Sequence, residues 1–304
     1  MTGMFVVAEE VRTGLDFGAG VVALETSVIG QGLPAPRNLE CVERMEATIR
    51  AAGAIPAWIG VLDGAVVVGL DRPQLQRIAQ PDGSAKVARR DLPIAVASGA
   101  AGATTVSATI WAARKAGIDV SATGGIGGVH PGDEPDVSAD LLELARTPVL
   151  LVCSGPKSIV EPAATAERLD ELGVALVGYG VDRLPFFLVR GSPVELEHRV
   201  DSPDEVAALL RASEGLGVES AIVLCNPVPA EQAMDAAFVA NATREAESRA
   251  SRAGVHGKDR TPFLLAALAE LTAGRSLEAN LALLEDNARV AGLVAAALSA
   301  TTSG

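Results

Sequence analysis

The chain has 304 residues, carries a net charge of −13 and is 49% hydrophobic, whereas aromatic residues make up only 3% of it. This length suits a single large domain, whose core must consist mainly of small aliphatic side chains. The acidic balance argues against nucleic acid as a partner, because phosphate neutralisation needs a basic face. Residues 1–14 lack a signal-peptide pattern, and the uncharged stretch 92–113 is too rich in Gly, Ser and Thr for a membrane helix. We therefore expect a soluble cytoplasmic protein with no membrane partner.

The first half of the chain alternates between apolar runs and amphipathic segments. Asn38 is a plausible N-cap, and Asp63-Gly64 between two apolar arms is a strong hairpin signal, which would make the sheet mixed. The elements predicted here are a strand at 20–28, a helix at 38–53, a hairpin at 56–70, a strand at 92–98, a helix at 103–117 and a strand at 118–125.

The second half continues this alternation and then becomes helical from about residue 229. Ser158 is expected to open the helix that follows the apolar run 148–155. The predicted strands are 148–155, 174–180, 185–191 and 220–228, and the predicted helices are 137–147, 158–173, 202–217, 230–251, 261–274 and 276–300. Together these elements predict a single domain over 1–304, with α/β/α layers around a mixed, mostly parallel sheet and a helical C-terminal part at about 229–300.

The three cysteines, Cys41, Cys153 and Cys225, are far apart in sequence. The last two lie inside apolar runs, which is typical of buried free thiols in a reducing compartment. No Cys-x-x-Cys or Cys/His spacing indicates zinc.

Several polar residues follow predicted strands, where ligands collect in α/β sheets. They include Glu25, Lys86, the glycine-rich segment 124–130 with His130 at its end, and Lys157. His130 could contact a ligand or simply belong to a loop. Asp136 could likewise be an N-terminal helix residue with no chemical role.

Lys157 is one of only four lysines among 25 basic residues. A lysine near a helix N-terminus is electrostatically disfavoured, so a purely structural role there is poorly motivated. An amine in a dry pocket at a strand end can instead attack a sugar or carbonyl carbon and form a Schiff base. Glu25 would then supply the proton for the leaving group. Lys115, which ends a helix, has an ordinary structural explanation in the helix dipole.

Nine segments in this order resemble the pseudouridine-5'-phosphate glycosidase family, also described as indigoidine synthase A-like proteins. They are ALETSVIGQGLPAPRN, KVARRDLP, GATTVSATIWAARKAGI, ATGGIGGVH, DVSADLLELART, VLLVCSGPKSI, CNPVP, GKDRTPFLL and LEDNARV. The resemblance implies reversible cleavage of pseudouridine 5'-phosphate to uracil and ribose 5-phosphate, through a lysine Schiff base with ring-opened ribose. It also implies one divalent metal, usually Mn²⁺, and a homotrimer.

The resemblance also assigns roles to residues at matching motif positions. Lys157 corresponds to the Schiff-base nucleophile, Glu25 to the proton donor and Asp136 to the metal ligand, and a single carboxylate suits Mn²⁺, which often keeps waters. The implied substrate contacts are Lys86, Val106, Ser138, Ala139 and Asp140, with His130 and Asn287 as further pocket residues.

Three positions depart from the family pattern: Gln31, Pro131 and Pro156 stand where a histidine, an arginine and a small residue are usual. The nucleophile, the acid and the metal ligand all remain. Two other hypotheses stay open, a Schiff-base lyase that acts on another sugar phosphate and a non-catalytic phosphosugar-binding protein.

Overall fold

In the computed structural model of the chain, the residues described are 3–132, 136–255, 257 and 260–300. Within them, eleven strands form one sheet. In chain order they are β1 (Phe5–Val7), β2 (Val21–Glu25), β3 (Ile55–Leu62), β4 (Ala65–Val68), β5 (Ala85–Val87), β6 (Gly102–Thr104), β7 (Val120–Ala122), β8 (Leu150–Cys153), β9 (Ala175–Tyr179), β10 (His198–Val200) and β11 (Ile222–Cys225).

The sheet order is β1-β4-β3-β2-β7-β8-β11-β9-β10, with β6 paired to β3 and β5 paired to β6. Strand β3 runs antiparallel to β4 and β6, and every other pairing is parallel. At the predicted hairpin, Asp63 and Gly64 both have positive φ, the backbone conformation that a two-residue turn of this type requires. The mixed, mostly parallel sheet is therefore confirmed.

Eleven α-helices lie within the described residues. They are α1 (Glu9–Asp16), α2 (Arg37–Ala51), α3 (Arg72–Ile78), α4 (Leu92–Ser98), α5 (Val106–Ala116), α6 (Ala139–Leu144), α7 (Pro162–Glu171), α8 (Pro203–Leu216), α9 (Ala236–Ala253), α10 (Arg260–Leu271) and α11 (Arg275–Ala300). None of these helices is long and apolar enough to cross a membrane.

The side chains of successive residues in the central strand β2 point to opposite faces of the sheet. Val22 and Leu24 join the core beneath α2, α8 and α11, whereas Val21 and Ala23 join the core beneath α1 and α5. Helices α9 and α10 pack against each other and against Ile159 and Val160, which follow β8. This arrangement gives the three-layer architecture expected from the sequence, with an added helical pair near the end of β8.

Several element predictions were wrong. Residues 92–98 form helix α4 rather than a strand, because Pro93 occupies its first turn and the buried residues Leu92 and Ala95 are spaced three apart. Residues 185–191 form a turn in which Phe187 has φ of 54° rather than a strand. The strands β1, β5, β6 and β10 and the helices α1 and α3 were not predicted.

Neither Ser158 nor Asn38, the two residues named from the sequence as helix starts, begins a helix. Helix α7 begins at Pro162, so Ser158 does not open it, and Ser158 is buried instead. Asn38 lies inside α2, where its side-chain Nδ2 donates to the backbone carbonyls of Ile29 and Ala79. A buried asparagine that bridges two loops therefore has the same sequence appearance as an N-cap.

All three cysteines are buried and free, as predicted. Burial raises the pKa of Cys41 and of Cys153 to about 12 and raises the pKa of Cys225 as well. Because the thiolate is the reactive form, we expect a disulfide reagent such as DTNB to label no cysteine in the native protein at pH 8. All three should react after denaturation. Rapid labelling of the native protein would contradict this burial.

Candidate active site

A cavity of about 260 Å³ opens at the carboxyl ends of the central strands. Nine of the ten residues singled out from the sequence line it: Glu25, Lys86, Val106, His130, Asp136, Ser138, Ala139, Asp140 and Lys157. These residues come from positions more than a hundred residues apart, and the parallel strands β2, β7 and β8 bring them together.

Glu25 is the last residue of β2, and its side chain is almost fully buried. Two hydroxyl groups donate to its carboxylate, the Thr123 Oγ1 to Oε1 and the Ser27 Oγ to Oε2 at 2.6 Å. Thr123 directly follows β7, the neighbour of β2. The carboxyl group is thus held in one orientation in the cavity wall, where its protonated form can give a proton to a bound molecule.

Lys157 lies four residues beyond β8, the next strand along the sheet. Gly155 makes the turn with φ of 76°, and a Cβ at this position would lie 2.0 Å from the Pro185 carbonyl oxygen. The chain therefore needs glycine at this point. The Lys157 amide then donates to the Ile126 carbonyl at 3.0 Å, which fixes the backbone under the side chain.

The Lys157 side chain is half-buried in the cavity wall. Among the described residues, none forms a hydrogen bond or an ion pair with its amine. An amine without a fixed partner can approach a bound carbonyl or anomeric carbon, which is the requirement for Schiff-base formation.

The positive end of helix α5 faces the same cavity, because Thr105 and Val106, its N-cap and first residue, line the wall. Lys86 of β5 and Arg90 line it as well. A helix N-terminus together with basic side chains favours an anionic group such as a phosphate. This part of the cavity can therefore bind the charged end of a small molecule.

Asp140 holds the walls of the cavity together. Its Oδ1 accepts from the Ser107 amide at 3.1 Å and its Oδ2 from the Gly127 amide at 3.0 Å. A Cβ on Gly127 would lie 2.3 Å from the Ser138 Oγ, so the glycine-rich segment can approach α6 only because it lacks a side chain here. Helix α6 starts at Ala139 with Ser138 as its N-cap, so Asp136 lies before the helix rather than on its face.

Asn287 does not line the cavity and is fully buried behind it. Its Nδ2 donates to the Thr123 carbonyl at 2.8 Å and to the Ser154 Oγ at 3.1 Å, and its Oδ1 accepts from Asn226 at 3.0 Å. Asn287 thus joins the ends of β7, β8 and β11 to helix α11. Its contact with the site runs through Thr123, the residue that orients Glu25.

The structure shows how two departures from the family pattern, Pro156 and Gln31, are accommodated. Pro156 pairs with Ile126, and the bonds that flank it use the Gly155 carbonyl and the Lys157 amide, so the missing N–H of proline leaves no partner unsatisfied. Gln31 lines the cavity and donates to the Ser84 carbonyl at 2.9 Å, while its Oε1 is buried without a hydrogen-bond partner among the described residues.

At one side of the cavity, His130 and Asp136 face two charged residues of the α9–α10 pair. The Arg260 Nη1 lies 3.6 Å from the Asp136 Oδ2, and its Nη2 lies 2.9 Å from the Glu247 Oε2. Burial lowers the pKa of His130, although the charge of Asp136 opposes this shift. We refer to His130, Asp136, Glu247 and Arg260 as the ionic cluster.

The side chains at this side of the cavity provide few ligands for a divalent ion. Among the described residues, no three His, Cys, Asp or Glu side chains cluster into a metal cage. The Asp136 carboxylate is 49% exposed, and the His130 Nδ1 beside it is buried with no hydrogen-bond partner within the same described part of the chain. This donor set fits an oxygen-preferring ion that keeps most of its waters, and it does not fit a closed protein cage.

Some residues of the site were not anticipated from the sequence. Thr123 and Ser27 could have been found, because each is a polar residue next to a strand end that had already been singled out. Arg260 lies in GKDRTPFLL, one of the segments that resemble the family, but no role was assigned to it there, and Glu247 carries no such signal. Both lie on helices whose position over the cavity is set by tertiary packing. Lys258, the remaining lysine, lies outside the described residues.

Known proteins resemble this chain along nearly its whole length. A family model described as indigoidine synthase A like protein matches residues 10–297. A pseudouridine-5'-phosphate glycosidase from Saccharopolyspora erythraea is 47% identical over 296 residues, which cover 97% of this chain and 98% of the relative.

Two solved structures share the fold with a TM-score of 0.90 each. One is an indigoidine synthase A-like protein from Thermotoga maritima, 38% identical, with 97% of both chains covered. The other is a prealnumycin C-glycosynthase in complex with ribulose 5-phosphate, 37% identical, with 100% of this chain and 99% of that chain covered. The motif-based expectation is confirmed, and the chain belongs to the indigoidine synthase A-like protein family.

Proposed function

We propose that the chain is a pseudouridine-5'-phosphate glycosidase, which reversibly cleaves the C–C glycosidic bond of its substrate to give uracil and ribose 5-phosphate. The observation that carries this proposal is the convergence of a buried, hydroxyl-oriented Glu25 and the Lys157 amine on one cavity. The name of the relative from Saccharopolyspora erythraea supports the substrate, and the ribulose 5-phosphate complex of the C-glycosynthase supports a sugar phosphate ligand.

Cleavage of a C–C glycosidic bond needs electron flow from a nucleophile, because the leaving carbon carries no lone pair to protonate. In the proposed reaction the neutral Lys157 amine forms a bond to C1′, and the C1′–O4′ bond breaks as O4′ takes the proton that the amine nitrogen loses. The nitrogen lone pair then forms the C1′=N double bond while the electrons of the C1′–C5 bond move to the uracil carbon C5. Protonated Glu25 gives its proton to that carbon. Water then hydrolyses the Schiff base, which releases ribose 5-phosphate, restores the amine and returns a proton to Glu25.

The rest of the cavity would bind the substrate for this chemistry. Lys86 would attract the 5′-phosphate with its positive charge, and the N-terminal end of α5 at Val106 would attract it with the helix dipole. Ser138 and Ala139 at the start of α6 would contact the ribose phosphate, with Asp140 fixing the loops around it. His130 lies where it would meet the same ligand.

The proposal includes one divalent ion per subunit, Mn²⁺ by resemblance, held by Asp136 and completed by waters and ligand oxygens. When bound, such an ion supplies positive charge that orients and neutralises an anionic ligand. The proposal also includes the homotrimer implied by the resemblance, which light scattering would test against the chain mass of 31.0 kDa.

The deciding experiment measures uracil release from pseudouridine 5′-phosphate with added Mn²⁺ and after removal of metal with EDTA. We expect turnover with Mn²⁺ and a loss of about tenfold or more on chelation, which added Mn²⁺ reverses. The D136N variant should show the same loss in the presence of the ion. Absence of uracil release under all metal conditions would contradict the proposed activity.

Two further measurements, adduct formation with ribose 5-phosphate and calorimetry, separate the two remaining hypotheses. A Schiff-base lyase for another sugar phosphate would form a covalent adduct with ribose 5-phosphate but release no uracil. A non-catalytic binding protein would bind ribose 5-phosphate by calorimetry without forming an adduct. The Glu25–Lys157 arrangement disfavours the second hypothesis, because binding alone requires neither an oriented acid nor an amine.

A further inference from the structure

Arg260 occupies an unusual place for a surface arginine. Its side chain is only 21% exposed, and its guanidinium lies between two carboxylates from different parts of the chain. One is Glu247 of the neighbouring helix α9, which is 18% exposed, and the other is Asp136 on the cavity wall. The ionic cluster thus has two carboxylates for one cation, with His130 as an additional neighbour.

The two contacts of Arg260 are unequal. The pair with Glu247 has hydrogen-bond length at 2.9 Å, whereas the pair with Asp136 is longer at 3.6 Å. The second oxygen of Glu247, Oε1, is buried and has no hydrogen-bond partner among the described residues. A guanidinium has five N–H donors in a fork, so Arg260 could satisfy both Glu247 oxygens if it released Asp136.

A divalent ion on the Asp136 carboxylate would lie about 5 Å from the Arg260 guanidinium, given ordinary metal–oxygen and ion-pair distances. At that separation the two cations repel each other, and even with the full dielectric screening of water the repulsion corresponds to about a tenfold change in affinity. Arg260 must therefore weaken ion binding while it remains beside Asp136. The orphaned Glu247 oxygen offers the position to which it can move.

We propose that Arg260 is the resident counter-ion of Asp136, that it competes with the divalent ion, and that Glu247 accepts the guanidinium when the ion binds. This inference rests on the role of Asp136 in the proposed function. Because Arg260 and Glu247 belong to α10 and α9, it also couples ion binding to the helical pair that covers the cavity, where Thr261 and Leu265 line the wall.

The test measures Mn²⁺ binding to the full-length protein without substrate, from the loss of the electron paramagnetic resonance signal of the hydrated ion. We expect the dissociation constant of R260M to be about tenfold lower than that of the unsubstituted protein. We expect E247Q to raise it several-fold, because Arg260 then keeps Asp136 as its only carboxylate partner in the ionic cluster. R249M is the matched control, since Arg249 lies on α9 and pairs with Glu245 and Glu270 instead; its dissociation constant should be unchanged.

The outcomes distinguish this inference from the proposed function. If D136N abolishes Mn²⁺ binding while R260M and E247Q both bind like the unsubstituted protein, Arg260 is not a competing counter-ion and only the present inference fails. If D136N binds Mn²⁺ normally, Asp136 is not the ligand, and both the inference and the metal assignment are overturned. Should R260M not fold, as judged by its thermal melting curve, the direction of the E247Q change decides: unchanged or tighter binding contradicts the inference.

Discussion

Replacement of Lys157 by alanine is expected to abolish turnover, with uracil release falling by at least about 10⁴-fold, the scale on which enzymes with covalent intermediates lose activity with their nucleophile. The variant should also lose the covalent adduct that cyanoborohydride traps from ribose 5-phosphate. In the unsubstituted protein, the adduct should appear by mass spectrometry on one tryptic peptide, residues 147–168, because trypsin does not cleave at an alkylated lysine.

The matched control is K115A. Lys115 lies in the last turn of helix α5, where its Nζ is 5.4 Å from the ring centroid of Phe5 and 5.7 Å from that of Trp111. This position lies outside the cavity, so K115A should keep both the adduct and the activity. Adduct formation by K157A at the rate of the unsubstituted protein would show that another amine is the nucleophile.

Replacement of Glu25 by glutamine is expected to slow uracil release without preventing formation of the Lys157 adduct. Glutamine keeps the size of the side chain but cannot give a proton to the uracil carbon, so uracil release should fall by about 10²- to 10⁴-fold. Lys157 is untouched in this variant, so the trapped adduct with ribose 5-phosphate should still form. Steady-state release and adduct mass, measured on the same preparation, provide the two readouts.

Two further variants calibrate this result. T123V removes one of the two hydroxyl donors to the Glu25 carboxylate and should cause a smaller loss, about tenfold, because Ser27 remains. E171Q alters an exposed glutamate on α7 and should have no effect. Normal uracil release by E25Q would remove Glu25 from the role of proton donor.

The positions of Glu25 and Lys157 could be predicted from the sequence because the physics that places them is simple. Parallel strands end at one edge of a sheet, so polar residues that directly follow apolar runs must meet there. Both runs, 21–25 and 150–153, are short, buried and followed by small or polar residues. The site therefore depends mainly on which strands are neighbours, and the structure places β7 between β2 and β8.

Other parts of the structure depend on tertiary packing that the local pattern does not encode. Residues 92–98 are apolar with no alternation, and a short run of that kind can form either a buried strand or a helix. Proline at its second position was the deciding signal for α4. Asn287 carried a motif signal, yet whether it contacts a ligand or supports Thr123 depends on how α11 crosses the strand ends.

The contacts of Arg260 could be predicted even less from the local sequence pattern. An arginine that begins a C-terminal helix reads as a solvated surface charge in the sequence. Only the packing of α9 and α10 over the cavity brings it to Asp136. Interactions between charged residues on separate helices leave no periodic trace, so the ionic cluster could not be inferred before the fold was known.

The origin of the site residues also has an evolutionary consequence. Glu25 and its two hydroxyl donors lie on or beside β2 and β7, and Lys157 follows the next strand, β8, so both proposed reactive groups are attached to the central sheet. The side chains that meet the rest of a ligand come instead from loops, from helix starts and from α10. Substitutions there can change which molecule is accepted while the acid and the amine keep their spacing. One fold can in this way accept new substrates while its reactive groups stay in place.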